Sequence, residues 1–373
     1  MIPFNKPVWL GTEVDRITEA IQLHGHVAGG GPFGQYCERW LSEMFAQPTV
    51  VVTSGTHGLE LAALLLDLKP GDEVIVPSYT FVSTANAFVL RGARPVFADV
   101  DAGGNLDARE VARLRTPRTR AVALVHYAGN SCNMERMAAA CDGVALVEDA
   151  AQALGSRFDG KPLGTFGVCG AISFHETKNL GCGEGGALTV RDAAQFERAV
   201  VLRDKGTNRR RFLAGLVDKY TWIDVGSSYA LSDLNAAYLS AQLDAFDRIQ
   251  ETRRRLFDRY AAELAPAIVE KGGYVILPRA RCDSNRHLFA VVWRNQDVRD
   301  QFIAHMRHHG IITPFHYVAL HQSPFGQHFH DGRSLPMSER LTTCLVRLPL
   351  FFNMSEHEQD EVMMRTQEFL HVI

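Results

Sequence analysis

Short apolar runs rich in β-branched residues alternate with segments of helical periodicity along the first half of the chain. The apolar runs lie at 50–53, 73–77, 95–98, 121–126 and 144–147, with helical patterns such as 58–66 and 81–90 between them. Parallel strands need a crossover connection, which is usually a helix. The pattern therefore predicts an α/β fold with a mostly parallel sheet covered by helices on both faces.

The second half has a different pattern. A long helical stretch at 231–264 leads to a glycine pair at 272–273, after which strand-like and helical segments follow at 274–277, 287–293, 298–309 and 356–370. At 373 residues the chain exceeds the size at which single cores stop growing, about 250 to 300 residues. We expect a large domain over 1–250 and a small α+β domain over 251–373.

The composition is that of an ordinary globular protein, with 46% hydrophobic and 22% charged residues. A formal charge of -3 with mixed signs argues against binding to nucleic acid or to an anionic membrane surface, because both would require a clustered basic excess. The basic run at 209–211 is too short to change this expectation. No segment reaches the roughly 18 apolar residues of a membrane helix.

The cysteines predict a reducing environment. There are seven of them, an odd number, and no two form a C-x-x-C pair. A chain of this size does not need disulfides for stability, so we expect reduced thiols and a cytoplasmic protein.

Ligands of parallel sheets gather at the carboxyl ends of the strands, which directs attention to 54–56, 79–81, 148–152 and 173–178. Lys178 follows an apolar strand there, and its amine can form an imine with an aldehyde, although most lysines are simply solvated. Asp149 follows another strand, where a carboxylate can hold a pyridinium proton or cap a helix. Gly55 and Thr56 begin a predicted helix, which suits a phosphate or ordinary capping by Ser54 or Thr56.

Three other kinds of site are disfavoured. The G-x-G-x-x-G match at 181–186 precedes a strand-like run at 187–190, whereas a dinucleotide fingerprint must open a helix. No G-x-S-x-G elbow of an α/β hydrolase is present. The histidines, notably His305, His308, His309, His328 and His330, carry no H-E-x-x-H pattern, so we expect solvated side chains and no metal.

Taken in chain order, a phosphate cup, an aromatic residue after a strand, Asp-x-x-Gln and Ser-x-x-x-x-Lys resemble the fold-type I aminotransferases. The chain is similar over essentially its whole length to the DegT/DnrJ/EryC1/StrS sugar aminotransferases, and within them to the dTDP-4-amino-4,6-dideoxygalactose transaminases. The segments that carry the resemblance are 77–86, 174–179 and 218–222.

The resemblance implies pyridoxal 5'-phosphate as the cofactor and a role for each matching residue. Lys178 would be the catalytic Schiff-base lysine, and Asp149 would pair with the pyridine nitrogen. The remaining contacts would be Gln152 near the phenolic oxygen, Phe81 on the ring face, and Gly55, Thr56 and Ser173 at the phosphate.

The resemblance also implies a homodimer with a shared active site. Relatives send an Asn to the partner's cofactor phosphate, and Ser228 stands at that position here. His57 stands where relatives more often have a small residue. His316 and Tyr317 would contact the sugar, or else pack within the small domain.

The implied reaction moves the amine of L-glutamate to a nucleotide-linked 4-keto-6-deoxy sugar, dTDP-4-dehydro-6-deoxy-D-glucose, and gives a 4-amino-4,6-dideoxy sugar nucleotide. One alternative is a pyridoxamine phosphate-dependent sugar dehydratase, which carries histidine in place of Lys178. Another is a catalytically silent relative, against which Lys178, Asp149 and Gln152 argue together. The sequence leaves open the stereochemistry at C4, the nucleotide, the oligomer beyond a dimer, and a surface polysaccharide or an antibiotic glycoside as the end product.

Overall fold

The computed structural model describes residues 1–373. Its strands are β1 Thr49–Val52, β2 Glu73–Pro77, β3 Arg94–Ala98, β4 Thr119–Val125, β5 Ala145–Asp149, β6 Arg157–Phe158, β7 Lys161–Pro162, β8 Cys169–Ser173, β9 Gly186–Val190, β10 Tyr274–Val275, β11 Cys282–Asp283, β12 Phe289–Val292 and β13 Leu345–Leu348. Its helices are α1 Glu13–Gln22, α2 Pro32–Phe45, α3 Gly55–Leu65, α4 Ser83–Val89, α5 Ala108–Leu114, α6 Met134–Ala140, α7 Ala193–Arg203, α8 Arg209–Leu213, α9 Asp233–Asp244, α10 Phe246–Glu270, α11 Gln296–His308, α12 Pro336–Cys344 and α13 Glu356–Val372.

Seven strands form the main sheet in the order β1-β9-β8-β5-β4-β2-β3. The pairs β8/β5, β5/β4, β4/β2 and β2/β3 are parallel, and only β9 runs against the others. The prediction of a mostly parallel α/β sheet is confirmed. β2, which pairs in parallel with β3 and β4, is buried along its whole length, as expected of a parallel strand covered on both faces.

The helices cover the sheet on both sides because alternate residues of each strand belong to different cores. Val51 packs into one cluster with α1, α2 and α9, whereas Val50 and Val52 pack into the other with α3, α4 and α7. This arrangement leaves the carboxyl ends of the strands as the edge at which ligands can enter.

A second, antiparallel sheet of β10, β12 and β13 packs with α10, α11 and α13 around Trp293 and Phe302. The prediction of one continuous helix over 231–264 is wrong, because the helix is interrupted at Ala245 and forms α9 and α10. The expected boundary between residues 250 and 251 lies inside α10 and stays a prediction. Ile2, at the other end of the chain, pairs with Ile311.

Three further predictions from the sequence concern the cysteines, the glycine-rich segment 181–186 and membrane helices. All seven cysteines are unpaired and buried. The glycine-rich segment 181–186 leads into β9 and not into a helix, so the context that a dinucleotide site requires is missing. None of the helices combines the length and the apolar composition that a membrane crossing demands.

Candidate active site

A cavity of about 650 Å³ lies at the carboxyl ends of β1, β2, β5 and β8. The structure brings together there nine residues to which the sequence assigned a function, although they come from four strand ends and from a distant loop. These residues are Gly55, Thr56, Phe81, Asp149, Gln152, Ser173, Lys178, His316 and Tyr317.

One end of the cavity has the chemistry of an anion site. Ser54 caps α3 by accepting a hydrogen bond from the backbone N–H of His57 at 3.1 Å. The amides of Gly55 and Thr56 at the first turn then have no intrahelical partner. The hydroxyls of Thr56 and Ser83, 2.7 Å apart, and that of Ser173 lie beside them. Amides, hydroxyls and the positive end of the helix dipole together favour a phosphate.

Glycine is required at position 55 by close packing. A Cβ atom at Gly55 would lie 2.9 Å from the Cβ of Ser173 and 3.3 Å from the carbonyl oxygen of Ile172. Any larger residue would push the first turn of α3 away from the end of β8. The shape of this anion site therefore depends on Gly55.

Asp149, the last residue of β5, is buried and also lines the cavity. Its carboxylate accepts hydrogen bonds from the hydroxyl of Thr84 at 2.7 Å and from the amide of Ala151 at 3.1 Å. Burial raises the pKa of Asp149, while these two hydrogen bonds and the charge of Lys178 oppose the rise. The side chain is thus held in one orientation and is ready to pair with a cationic group.

Lys178 lies in the turn after β8 and points its amine into the same cavity. Burial lowers the pKa of Lys178 from 10.5 to about 8; the Asp149 carboxylate opposes this and the Arg347 guanidinium adds to it. A substantial fraction of the amine is therefore neutral near physiological pH, the form that can attack a carbonyl or accept a proton.

Gln152 and Tyr317 join the two parts of the chain across the cavity. The side-chain oxygen of Gln152 accepts a hydrogen bond from the amide of Ala128 at 2.7 Å, and its Nε2 donates to the hydroxyl of Tyr317 at 3.0 Å. His316 is buried, and its Nδ1 lies 2.7 Å from the Tyr127 hydroxyl. His316 and Tyr317 are therefore fixed by hydrogen bonds as well as by packing.

Phe81 lines the cavity, whereas Ser228 lies outside the cavity of its own chain. The ring of Phe81 is 55% exposed although it lines the cavity, which leaves an apolar face available to a planar ligand. Ser228 is exposed, pairs with Asp204, and is not among the residues that line the cavity of its own chain. Its role toward a partner subunit stays a prediction.

Sequence reasoning assigned no role to Arg347 or Thr84, which contribute directly to the site. Arg347 lines the cavity from β13, and Thr84 holds Asp149. A single arginine within the otherwise apolar strand Leu345–Leu348 was the available signal for Arg347, because an arginine in a buried strand needs a partner or a ligand. Thr84 carried no comparable signal.

The cavity matches pyridoxal 5'-phosphate in the chemistry of its donor set. An anion cup, an exposed aromatic face, a buried carboxylate and an amine of lowered pKa lie around one space, and the glycine at position 55 keeps the cup open. The fold and the site together define a pyridoxal phosphate-dependent aminotransferase of fold type I.

Comparison with known proteins identifies the family. The sequence model of the DegT/DnrJ/EryC1/StrS aminotransferase family matches residues 11–367, and the chain belongs to this family. The chain is similar to the aminotransferase TlmJ from Streptoalloteichus hindustanus, with 32% identity, a TM-score of 0.91, and coverage of 100% of this chain and 99% of that one. DesV from S. venezuelae is 30% identical, with a TM-score of 0.90 and coverage of 100% and 99%.

A more distant likeness concerns the fold alone. The putative sugar aminotransferase Spr1654 from Streptococcus pneumoniae, in its pyridoxamine phosphate form, is 23% identical, with a TM-score of 0.91 and coverage of 100% of both chains. The fold is therefore the same at low sequence identity. The expected family, fold class, cofactor and enzyme class are confirmed.

The pKa of Lys178 predicts how cofactor capture by the apoprotein depends on pH. Because only the neutral amine attacks an aldehyde, the rate should rise with pH and reach half of its maximum near pH 8, well below the 10.5 of a free lysine. In Asp149→Asn the midpoint should move to lower pH, because Asp149 raises the pKa of Lys178. Stopped-flow absorbance after mixing with pyridoxal phosphate measures both midpoints. A midpoint near 10 in the wild type would contradict the prediction.

Proposed function

We propose that the protein transfers the amino group of L-glutamate to C4 of a nucleotide-linked 4-keto-6-deoxy sugar, with dTDP-4-dehydro-6-deoxy-D-glucose as the expected acceptor. The observation that carries the proposal is the amine of Lys178, with a pKa of about 8, beside the buried carboxylate of Asp149 in one cavity. The bound cofactor supplies an electron-withdrawing ring and a carrier for the amine.

Lys178 is the proposed acid and base of both half-reactions. Once its amine is free, a pKa of about 8 lets it accept the proton from the α carbon of L-glutamate and deliver a proton to C4 of the sugar. Asp149 would hold a proton on the pyridine nitrogen, for which Thr84 and Ala151 orient its carboxylate. Gly55, Thr56 and Ser173 would hold the phosphate, and Phe81 would contact the ring face.

Arg347 supports a dicarboxylate as the amino donor. Arg347 is the only arginine that lines the cavity, and a guanidinium keeps its positive charge in proteins. Its Nη2 donates to the carbonyl of Phe315 at 3.0 Å and its guanidinium lies 4.2 Å from the ring centre of Phe4, while its Nε is buried without a partner. A guanidinium held in this way binds carboxylates well, and we propose that it contacts the donor.

Replacement of Arg347 by glutamine is expected to raise the L-glutamate concentration at half-maximal rate of the first half-reaction by about tenfold or more, because a hydrogen bond to a charged group contributes about 1.5 to 3 kcal/mol. Rapid-scanning absorbance with glutamate alone measures it. The exposed Arg294→Gln is the matched control. An equal loss toward the keto sugar, or no loss at all, would count against a donor contact.

We propose that the sugar binds where the cavity exposes apolar side chains. Phe315 and Phe81 are about half exposed there, and Tyr317 lies beside Phe81 with ring centres 6.3 Å apart. Apolar faces next to the polar edges of His316 and Tyr317 suit a deoxy sugar, which has an apolar methyl group and hydroxyls. These residues support the proposed acceptor class.

A homodimer with a shared active site is part of the proposal. The segment 212–225 exposes apolar side chains, including Leu216, Trp222 and Ile223, of which Trp222 is 79% exposed. Such a concentration of exposed apolar surface is typical of a protein interface. Ser228 lies three residues after this segment and is itself exposed. We therefore propose that a second copy covers the segment and receives Ser228 at its phosphate cup.

Mixing two inactive variants tests the shared site. Ser228→Asp should repel the phosphate of the partner's cofactor, and Lys178→Ala should remove the catalytic amine, so that each homodimer has little activity. In a heterodimer, one of the two sites combines Lys178 from the Ser228→Asp chain with the unmodified Ser228 from the Lys178→Ala chain. Unfolding and refolding the mixture should restore up to about half of the heterodimer's sites, measured as transamination rate. No gain on mixing, with heterodimers verified by mass, would show that Ser228 does not act across the interface.

The reaction itself is tested with 15N-labelled L-glutamate and dTDP-4-dehydro-6-deoxy-D-glucose. Mass spectrometry should show 15N in a 4-amino-4,6-dideoxy sugar nucleotide and an equal amount of 2-oxoglutarate. A product that has lost water without gaining nitrogen would instead indicate a dehydratase. If 2-oxoglutarate formed but this sugar gained no amine, L-glutamate would stand as the donor and the proposed sugar would be rejected as the acceptor.

A further inference from the structure

Three potential metal ligands converge in the C-terminal part of the chain, and none of them lines the active-site cavity. His305 lies in the last turns of α11, His309 follows the end of that helix, and Glu368 lies on α13. One ligand atom from each lies within 4.8 Å of the other two, and all three residues are half-buried. His305 and His309, for which the sequence predicted solvated side chains, are half-buried and lie beside a carboxylate from another helix.

The hydrogen bonds around the cluster leave a nitrogen available for coordination. Nε2 of His305 lies 2.9 Å from the carbonyl oxygen of Arg365, and since a carbonyl can only accept, Nε2 carries the proton. Nδ1 of His305 is then unprotonated and has a free lone pair. A histidine whose other nitrogen donates to a backbone carbonyl is the usual arrangement of a metal ligand, because the carbonyl fixes the tautomer and the ring orientation.

The positive charge next to Glu368 does not block a metal. Arg365 donates to Glu368 at 2.9 Å and also to Glu361 at 2.8 Å. If one oxygen of Glu368 turned to a cation, Arg365 would keep Glu361 and the second oxygen as partners. The histidines stand four residues apart, which places them on the same face at the end of α11.

We propose that His305, His309 and Glu368 form a site for a divalent transition metal ion, with Zn²⁺ as the best match. Two imidazoles and one carboxylate are ligands that zinc accepts, and three protein ligands leave a coordination position for water. The bound ion would tie α11 to α13 within the C-terminal part of the chain. The site is independent of the proposed transamination.

Isothermal titration calorimetry of tag-free, chelator-treated holoenzyme with ZnCl₂ tests this proposal. We expect one Zn²⁺ per chain in the wild type, and at least about tenfold weaker binding in His309→Ala and in Glu368→Gln. His308→Ala is the matched control, since it removes a neighbouring histidine outside the cluster and should bind zinc as the wild type does. Zinc should also raise the thermal midpoint of the wild type and of the control, because a ligand of the folded state stabilises it.

Two results would overturn the site. The wild type could bind no zinc, or it could bind zinc with an affinity that His309→Ala or Glu368→Gln leaves unchanged. Transaminase activity enters neither readout, so failure of the proposed function and failure of the zinc site are separate results.

Discussion

Replacement of Lys178 by alanine is expected to lower the rate of transamination by about 10⁴-fold, the upper end of what a general acid–base residue contributes. The same change should remove the visible absorbance band of the protein-bound cofactor, because no other lysine lines the cavity. The two effects have one cause, since the amine that would hold the cofactor is also the group that would move the proton. Absorbance spectra and the release of 2-oxoglutarate measure them.

The control for this variant is Lys69→Ala, which removes an exposed lysine and should leave both signals unchanged. A Lys178→Ala protein that kept the visible band would show that another amine captures the cofactor. A folded variant with substantial residual turnover would show that Lys178 is not the acid and base of the reaction.

The second large effect is expected at Asp149. Asp149→Asn should retain the visible band, because Lys178 remains, but should lower turnover by about 100-fold or more, since a neutral amide cannot hold a proton on the pyridine nitrogen. The variant thus separates cofactor capture from catalysis. Single-turnover absorbance with L-glutamate measures the loss directly.

Asparagine has the same shape as Asp149, so its Oδ1 can still accept from the Ala151 amide while its Nδ2 donates to the Thr84 hydroxyl, and the fold should be unaffected. The exposed Asp142→Asn, before the amino end of β5, is the matched control. Wild-type turnover in Asp149→Asn would show that the charge of this carboxylate is not used. Loss of the visible band together with activity would assign Asp149 to cofactor binding alone.

The sheet and most of the cavity could be predicted because their signals are local. Strands such as Glu73–Pro77 are apolar after their first residue and turns follow them directly, so the residues after each strand lie at one edge of a parallel sheet. Gly55, Asp149 and Lys178 are all of this kind. The break of the 231–264 stretch at Ala245 was missed because alanine continues a helical pattern as well as any residue does.

Contacts between distant segments could not be predicted in the same way. Arg347 reaches the cavity from β13, nearly 170 residues after Lys178, and its neighbours Phe4 and Phe315 come from two other segments. The hydrogen bond between Gln152 and Tyr317 joins residues 165 positions apart. No periodicity in the sequence relates such pairs.

The sequence by itself determined the strand and helix series, the cofactor motifs and the chemical identity of the side chains, because these depend on short-range patterns of polarity and on residue type. Only the tertiary structure decided the pKa of Lys178, the place of Arg347 beside it, and the meeting of His305 and His309 with Glu368. Desolvation and charge interactions depend on distances through space, and those distances are set by the packing of segments that are far apart in the chain.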